Sequence, residues 1–175
     1  MTESTQQSKA LEDAPPRLKT TDDLQRLLCW FEKNICREMK DPRGHRVQIG
    51  PERFPYLVKL RNKKNGEKIK KPLKIVNKIR EGKLKDHDFG GIDQDRAQTL
   101  TWLEAVICRP TCITKNKHKN VPGDEVYIKE FAPSVNGTKR IKAVVCLRMN
   151  AFLLVPISAF RKSRVGAKAE DVIWP

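Results

Sequence analysis

Asp93-Gln94-Asp95-Arg96-Ala97-Gln98-Thr99-Leu100-Thr101-Trp102-Leu103-Glu104-Ala105-Val106-Ile107 is the stretch on which the fold turns. Asp93 is placed to cap a helix, Leu100, Leu103 and Ile107 recur at helical spacing on one face, and Arg109-Pro110 closes the run. A helix with one apolar face needs a surface to lie on. Three runs downstream supply it: residues 125–131, 140–148 and 151–158 are rich in Val, Ile, Leu and aromatics, with Asn136-Gly137 and Met149-Asn150 at turn positions. Such short connections enforce antiparallel pairing, since a parallel crossover needs about a dozen residues or more. The pattern therefore predicts an α+β chain, with N-terminal helices packed on a C-terminal antiparallel β-sheet meander.

Upstream, residues 1–19 are polar, contain Pro15-Pro16 and lack periodicity, which predicts a disordered tail. A helix is expected from Thr20, capped by Thr20 or Thr21, with Leu24, Leu27, Leu28, Phe31 and Ile35 in one stripe, stopped by Asp41-Pro42-Arg43-Gly44. Arg46-Val47-Gln48-Ile49 and Tyr56-Leu57-Val58-Lys59-Leu60 read as short strands. Pro72 suits the first turn of another helix, in which Leu73, Val76 and Ile79 recur and which Gly82 ends. The expected organisation is a tail (1–19), a helical and basic region (20–85), a core (86–164) and a C-terminal tail (165–175). An indole so near the end, at Trp174, predicts docking onto the body or a partner.

Charge narrows the function classes. The chain of 175 residues has 36 Lys and Arg against 21 Asp and Glu, a net +15, which draws polyanions. Residues 59–85 hold twelve of those cations and only Glu67 and Glu81 as anions. Lys63, Lys64, Lys70, Lys71, Lys74 and Lys78 are candidates to contact phosphate, with Lys115, Lys117, His118, Lys119, Arg161, Lys162 and Arg164 extending the surface. The lysine run contains no aromatic side chain, so it positions a nucleic acid rather than stacking on bases. No N-terminal apolar segment or membrane span is visible, and an odd set of five cysteines reads as reduced thiols in a cytoplasm. No Walker loop or dinucleotide fingerprint is present. Cys108-x3-Cys112-x5-His118 lacks the two-residue knuckle spacing and is interrupted by Pro110, so neither metal nor cofactor is expected.

Among titratable groups, His87 sits between Asp86 and Asp88, and an adjacent carboxylate suits an imidazole that acts as acid or base. Arg96 can grip two phosphate oxygens with its forked guanidinium. Tyr127 and Lys129, two apart on a strand, share a face, and with Val126 and Ile128 assigned to the core that face is predicted to be open.

The order Asp-x-x-Arg-Ala-x-x-Leu-x-Trp-x-x-x-x-Ile-x-x-Pro (Asp93 to Pro110), a Tyr-Ile-Lys strand, a hydrophobic strand and a last strand ending Ile157-Ser158-Ala159-Phe160 resembles the phage-associated nucleases of the barnase, EndoU, colicin and RelE-like (BECR) fold. The likeness covers about the C-terminal half. It implies a toxin-like, metal-independent endoribonuclease that cleaves RNA by attack of the 2′-hydroxyl on the phosphate. It also implies Ser158 as a hydrogen-bond donor near that phosphate and favours Arg96 as a clamp; His87, Tyr127 and Lys129, read from their own surroundings, complete the candidate catalytic set, and an active toxin implies an acidic antitoxin or immunity protein as partner. The alternative is a non-catalytic nucleic-acid-binding protein of phage or mobile-element origin.

Overall fold

Asp23 opens the first helix, α1 (Leu24–Asn34), because its carboxylate accepts the Arg26 N–H at 3.1 Å. That satisfies one of the orphan donors of the first turn. Thr20 and Thr21, the expected caps, lie outside the described residues. In the computed structural model, these are 10–19, 22–61, 69–84, 90–115, 124–150, 153–161 and 171–175, and at 149–150 and 153–161 the description is of the backbone. Leu27, Leu28 and Phe31 are buried as the stripe requires. The helix ends before the expected stop. Asp41-Pro42-Arg43-Gly44 instead turns a hairpin between β1 (Glu38–Lys40) and β2 (Arg46–Gln48), with Gly44 in the left-handed region at φ 83°.

The second expected strand, at Tyr56 to Leu60, is a helical turn, α2 (Phe54–Leu57). Pro51 and Pro55 preset helical φ there. The N–H groups of Val58 and Leu60 return to the carbonyls of Phe54 and Pro55, and Phe54, Leu57, Val58 and Leu60 are all buried, which is no alternating pattern. Helix α3 (Pro72–Arg80) begins at its proline and ends before Gly82, at φ 65°. Val76 and Ile79 enter the core while Leu73 stays exposed.

The deciding stretch forms three joined pieces rather than one helix: α4 (Gln94–Gln98), a 3-10 turn (Thr99–Trp102) and α5 (Leu103–Cys108). Asp93 caps it as the spacing indicates, accepting the Arg96 N–H at 3.1 Å. The hydroxyl of Thr99 donates to the Asp95 carbonyl at 2.8 Å, a back-bond that disturbs regular helix. The tightened turn buries Leu100, Trp102 and Leu103 together.

Seven strands make one sheet in the order β1-β2-β6-β5-β4-β3-β7, completed by β3 (Cys112–Lys115), β4 (Asp124–Phe131), β5 (Ile141–Asn150), β6 (Leu153–Arg161) and β7 (Val172–Trp174). The fold is α+β, and β3 to β6 form the antiparallel meander. The Asn136-Gly137 turn falls between β4 and β5. Met149-Asn150 belongs to β5 itself, and residues 151–152 are outside the described set. One pairing departs from expectation, as β2 joins β6 in parallel through Val47 and Leu154. The boundary drawn at 85/86 therefore separates no second core, since α1, α2, α3, α5 and the sheet share one apolar cluster. The end of the chain is an edge strand rather than a tail, and Trp174 packs against that cluster as expected.

The N-terminal residues also differ from expectation. Residues 10–19 lie extended across the helices: Glu12 accepts the Ala132 N–H, Leu18 donates to the Gln98 carbonyl, and the Trp102 indole donates to the Pro15 carbonyl at 2.7 Å. Arg17 lies over Trp102 and donates to Asp95 at 2.8 Å. Residues 1–9 are outside the described set. Glu12 is clasped by Arg109 at 2.8 Å and Lys129 at 2.9 Å, and these two cations lower its pKa from 4.5 to about 2. A depressed carboxylate contributes stability above its unfolded pKa and loses it as pH falls through the folded one. The stability gap between wild type and Glu12→Gln is therefore expected to be full above pH 4.5 and to close toward pH 2, checked by urea unfolding across that range.

Candidate functional site

Lys70 and Lys71, just before α3, and Lys74 on it are exposed, with Lys78 partly covered. Proline at its start and apolar residues at 76 and 79 orient the helix so that lysines take the outer face. Among the described residues no carboxylate pairs with any of these four. The arginines elsewhere differ, for Arg37 meets Glu104, Arg46 meets Glu38, Arg80 meets Glu32, Arg140 meets Glu130 and Arg148 meets Asp124. A neutralised cation contributes little to holding a phosphate, so the lysines of α3 are the ones disposed to do it.

After α2 the chain returns on itself. The Gly90 N–H donates to the Arg61 carbonyl at 3.0 Å and the Asp93 N–H to the Val58 carbonyl at 2.9 Å, laying residues 90–93 along 58–61. Gly91, at φ 87°, makes the bend that this requires. The arrangement sets Arg96 near Arg61. Arg96 is half-buried, its Nε 3.9 Å from Asp93. Burial lowers its pKa, Asp93 works the other way, and the charge of Arg61 lowers it further. Helix α4 packs against β6, the strand that carries Ser158 and ends at Arg161.

Arg96 and the strand of Ser158 are thus brought together. Tyr127 and Lys129 are not part of this arrangement. They do share a face, but it is the face under the helices, while Ile128 is buried on the other side, apart from the helix-side cluster. Alternation along β4 specifies which side chains go together and leaves open which side is inner. Lys129 donates to the Arg109 carbonyl at 2.7 Å and meets Glu12, and Tyr127 is fully buried. His87, Lys63, Lys64, Lys117, His118, Lys119, Lys162 and Arg164 lie outside the described residues, and Lys115 is exposed at the end of β3.

One polar cluster has no counterpart in the sequence reading. Asp41 lies fully buried in the β1–β2 turn, and its Oδ1 accepts the N–H groups of Arg43 and His45, each at 2.9 Å. Its Oδ2 accepts from Arg43 Nη2 at 2.7 Å and from the Tyr127 hydroxyl at 2.6 Å. Arg43 also forms a two-pronged pair with Glu125, at 3.1 and 2.6 Å. Burial disfavours the Asp41 carboxylate, yet the bonds from Tyr127 and Arg43 outweigh it and hold the pKa below 3.8. Burial first, then the Asp41 carboxylate beside it, push the Tyr127 hydroxyl far up. Tyr127 keeps its proton at neutral pH, which removes it as a base. The only foreshadowing in sequence is Asp41-x-Arg43, the signature of a carboxylate capping its own turn.

Among the described residues no group of three or more His, Cys, Asp or Glu side chains could hold a metal ion, and no helix is long and apolar enough to cross a membrane. The five cysteines are free thiols, one exposed, three half-buried and one buried. Comparison with protein-family models, curated proteins and solved structures finds no match to this chain.

Proposed function

We propose that this protein is a metal-independent endoribonuclease that holds RNA on the α3 lysines and acts on it where α4 meets β6. The observation that carries the reading is the backbone pairing of residues 90–93 with 58–61, which brings the Arg61 strand and the start of α4, with Arg96, together. Two guanidiniums held near each other repel, and a phosphate between them turns that repulsion into attraction. The likeness of residues 93–110 and of β4 to β6 to BECR-type nucleases supports the same choice.

In this reading Arg96 and Arg61 grip the non-bridging oxygens and Ser158 adds a donor. The 2′-oxygen gives up its proton to His87 and bonds to phosphorus while the bond from phosphorus to the 5′-oxygen breaks, that oxygen taking up a proton as it leaves. The products are a 2′,3′-cyclic phosphate and a 5′-hydroxyl. An acidic antitoxin or immunity protein in a shared cytoplasm would cover the lysine face. A second reading, a non-catalytic RNA-binding protein, is favoured by the burial of Tyr127 and Lys129, which leaves fewer groups to move protons.

Labelled RNA and its all-deoxy analogue, incubated in EDTA, separate these readings. Cleavage of RNA alone with cyclic ends selects the nuclease, binding without cleavage selects the second, and neither sinks both. Affinity is expected to fall with salt. Changing Lys70, Lys71 and Lys74 to Gln should flatten the slope of log affinity against log salt by about 2, at roughly 0.7 per single-strand phosphate contact. A slope unchanged in that triple variant would place the phosphates elsewhere.

A further inference from the structure

The lysine run from 59 to 85 contains no aromatic, yet the fold brings one to it. Tyr56, in α2, donates its hydroxyl to the Ile69 carbonyl at 2.9 Å, which fixes the ring beside the start of the Lys70-Lys71 segment. The turn at Pro51–Arg53 packs against α3. Arg53 in that turn lies over the Tyr56 ring, its Cζ 5.7 Å from the centroid. The Arg53 Nε is buried and has no hydrogen-bond partner. The nearest carboxylate, Glu52, stands at 3.6 Å, beyond hydrogen-bonding reach.

A buried donor left unmade costs stability, and native chains rarely keep one without a use. Here the donor belongs to a flat cation backed by an aromatic ring, close to lysines that meet no carboxylate among the described residues. The guanidinium is partly exposed, and its open face accepts a nucleobase by stacking. A base inside a duplex has both faces covered by its neighbours and cannot enter. Lysines alone hold phosphates of either form.

Resting on the RNA reading above, we infer that Arg53 and Tyr56 form a base-stacking subsite, so that the nucleic acid this protein takes is single-stranded. Phosphates run along α3 while one unpaired base lies against the Arg53–Tyr56 stack.

Fluorescence anisotropy with a labelled RNA oligomer, free or annealed to its complement, tests this in the full chain. The wild type is expected to prefer the single strand. Tyr56→Leu and Arg53→Lys should lose about tenfold in single-strand affinity, from stacking at about 1–3 kcal/mol per base, with duplex affinity and salt slope unchanged. Tyr56→Phe, which keeps the ring, should retain the preference. The charge-preserving Arg53→Lys removes the plane and keeps the cation. Equal affinity of the wild type for both forms, or equal losses on both in the variants, would overturn the stacking subsite and leave the RNA reading standing. No binding of either form would overturn both.

Discussion

Asp41→Ala is expected to lower the unfolding free energy by about 3–5 kcal/mol, the range for removing one partner of a buried ionic network. The carboxylate is fully covered and accepts from the Arg43 guanidinium, the Tyr127 hydroxyl and two backbone N–H groups. Glu125 retains its grip on Arg43 and limits the damage at that end. Tyr127→Phe should cost less, about 1–3 kcal/mol, because Asp41 and Arg43 still satisfy each other. The carboxylate is held below 3.8, so its contribution is complete above that pH and fades as pH falls through the lower native value. Urea midpoints measured at neutral and at strongly acidic pH check both size and sign. A loss within 1 kcal/mol for Asp41→Ala at neutral pH would mean that the cluster does not hold the hairpin.

On the proposed nuclease reading, Arg96→Ala is expected to slow RNA cleavage by about 10²–10³, the scale for deleting one preorganised donor to a developing anion. Arg96→Lys should recover only part of it, since an ammonium keeps the charge and loses the fork. Binding separates this from a general loss of affinity: the lysines of α3 remain, so the effect should appear mainly in the single-turnover rate. Equal rates for wild type and Arg96→Ala would remove this residue from the reaction. Equal loss of binding and of rate would make it a docking contact.

What depends on neighbours in the chain was legible in the residues, and what depends on distant choices was not. The Asp93 cap, the buried Leu100, Leu103 and Ile107, the proline and glycine bounding α3 and the Asn136-Gly137 turn are all set by local spacing. Tyr127 and Lys129 illustrate the limit. Their parity is local, but the inner face was decided by Arg43 and Asp41, far upstream, and by Glu12, whose segment has no apolar period. The docking of residues 10–19 rests on backbone groups, the Trp102 indole and the ion pairs of Glu12 and Arg17, none of which an apolar period announces. Arg96 was visible as a cation at the start of a helix. Its neighbour Arg61 is placed there only because the chain doubles back, whereas the stack of Arg53 on Tyr56 is a contact within one helical turn.

The pairing of Val47 with Leu154 also sets an order of events in time. As the chain leaves the ribosome, the hairpin of β1 and β2 is made well before the strand that must receive it, since Leu154 lies far downstream of Val47. Closing so long a loop is slow, and the bare edge of β2 stays available to other chains until then. Docking of the first hairpin should therefore wait for β6, and a truncation that removes β6 would leave that hairpin without its partner strand.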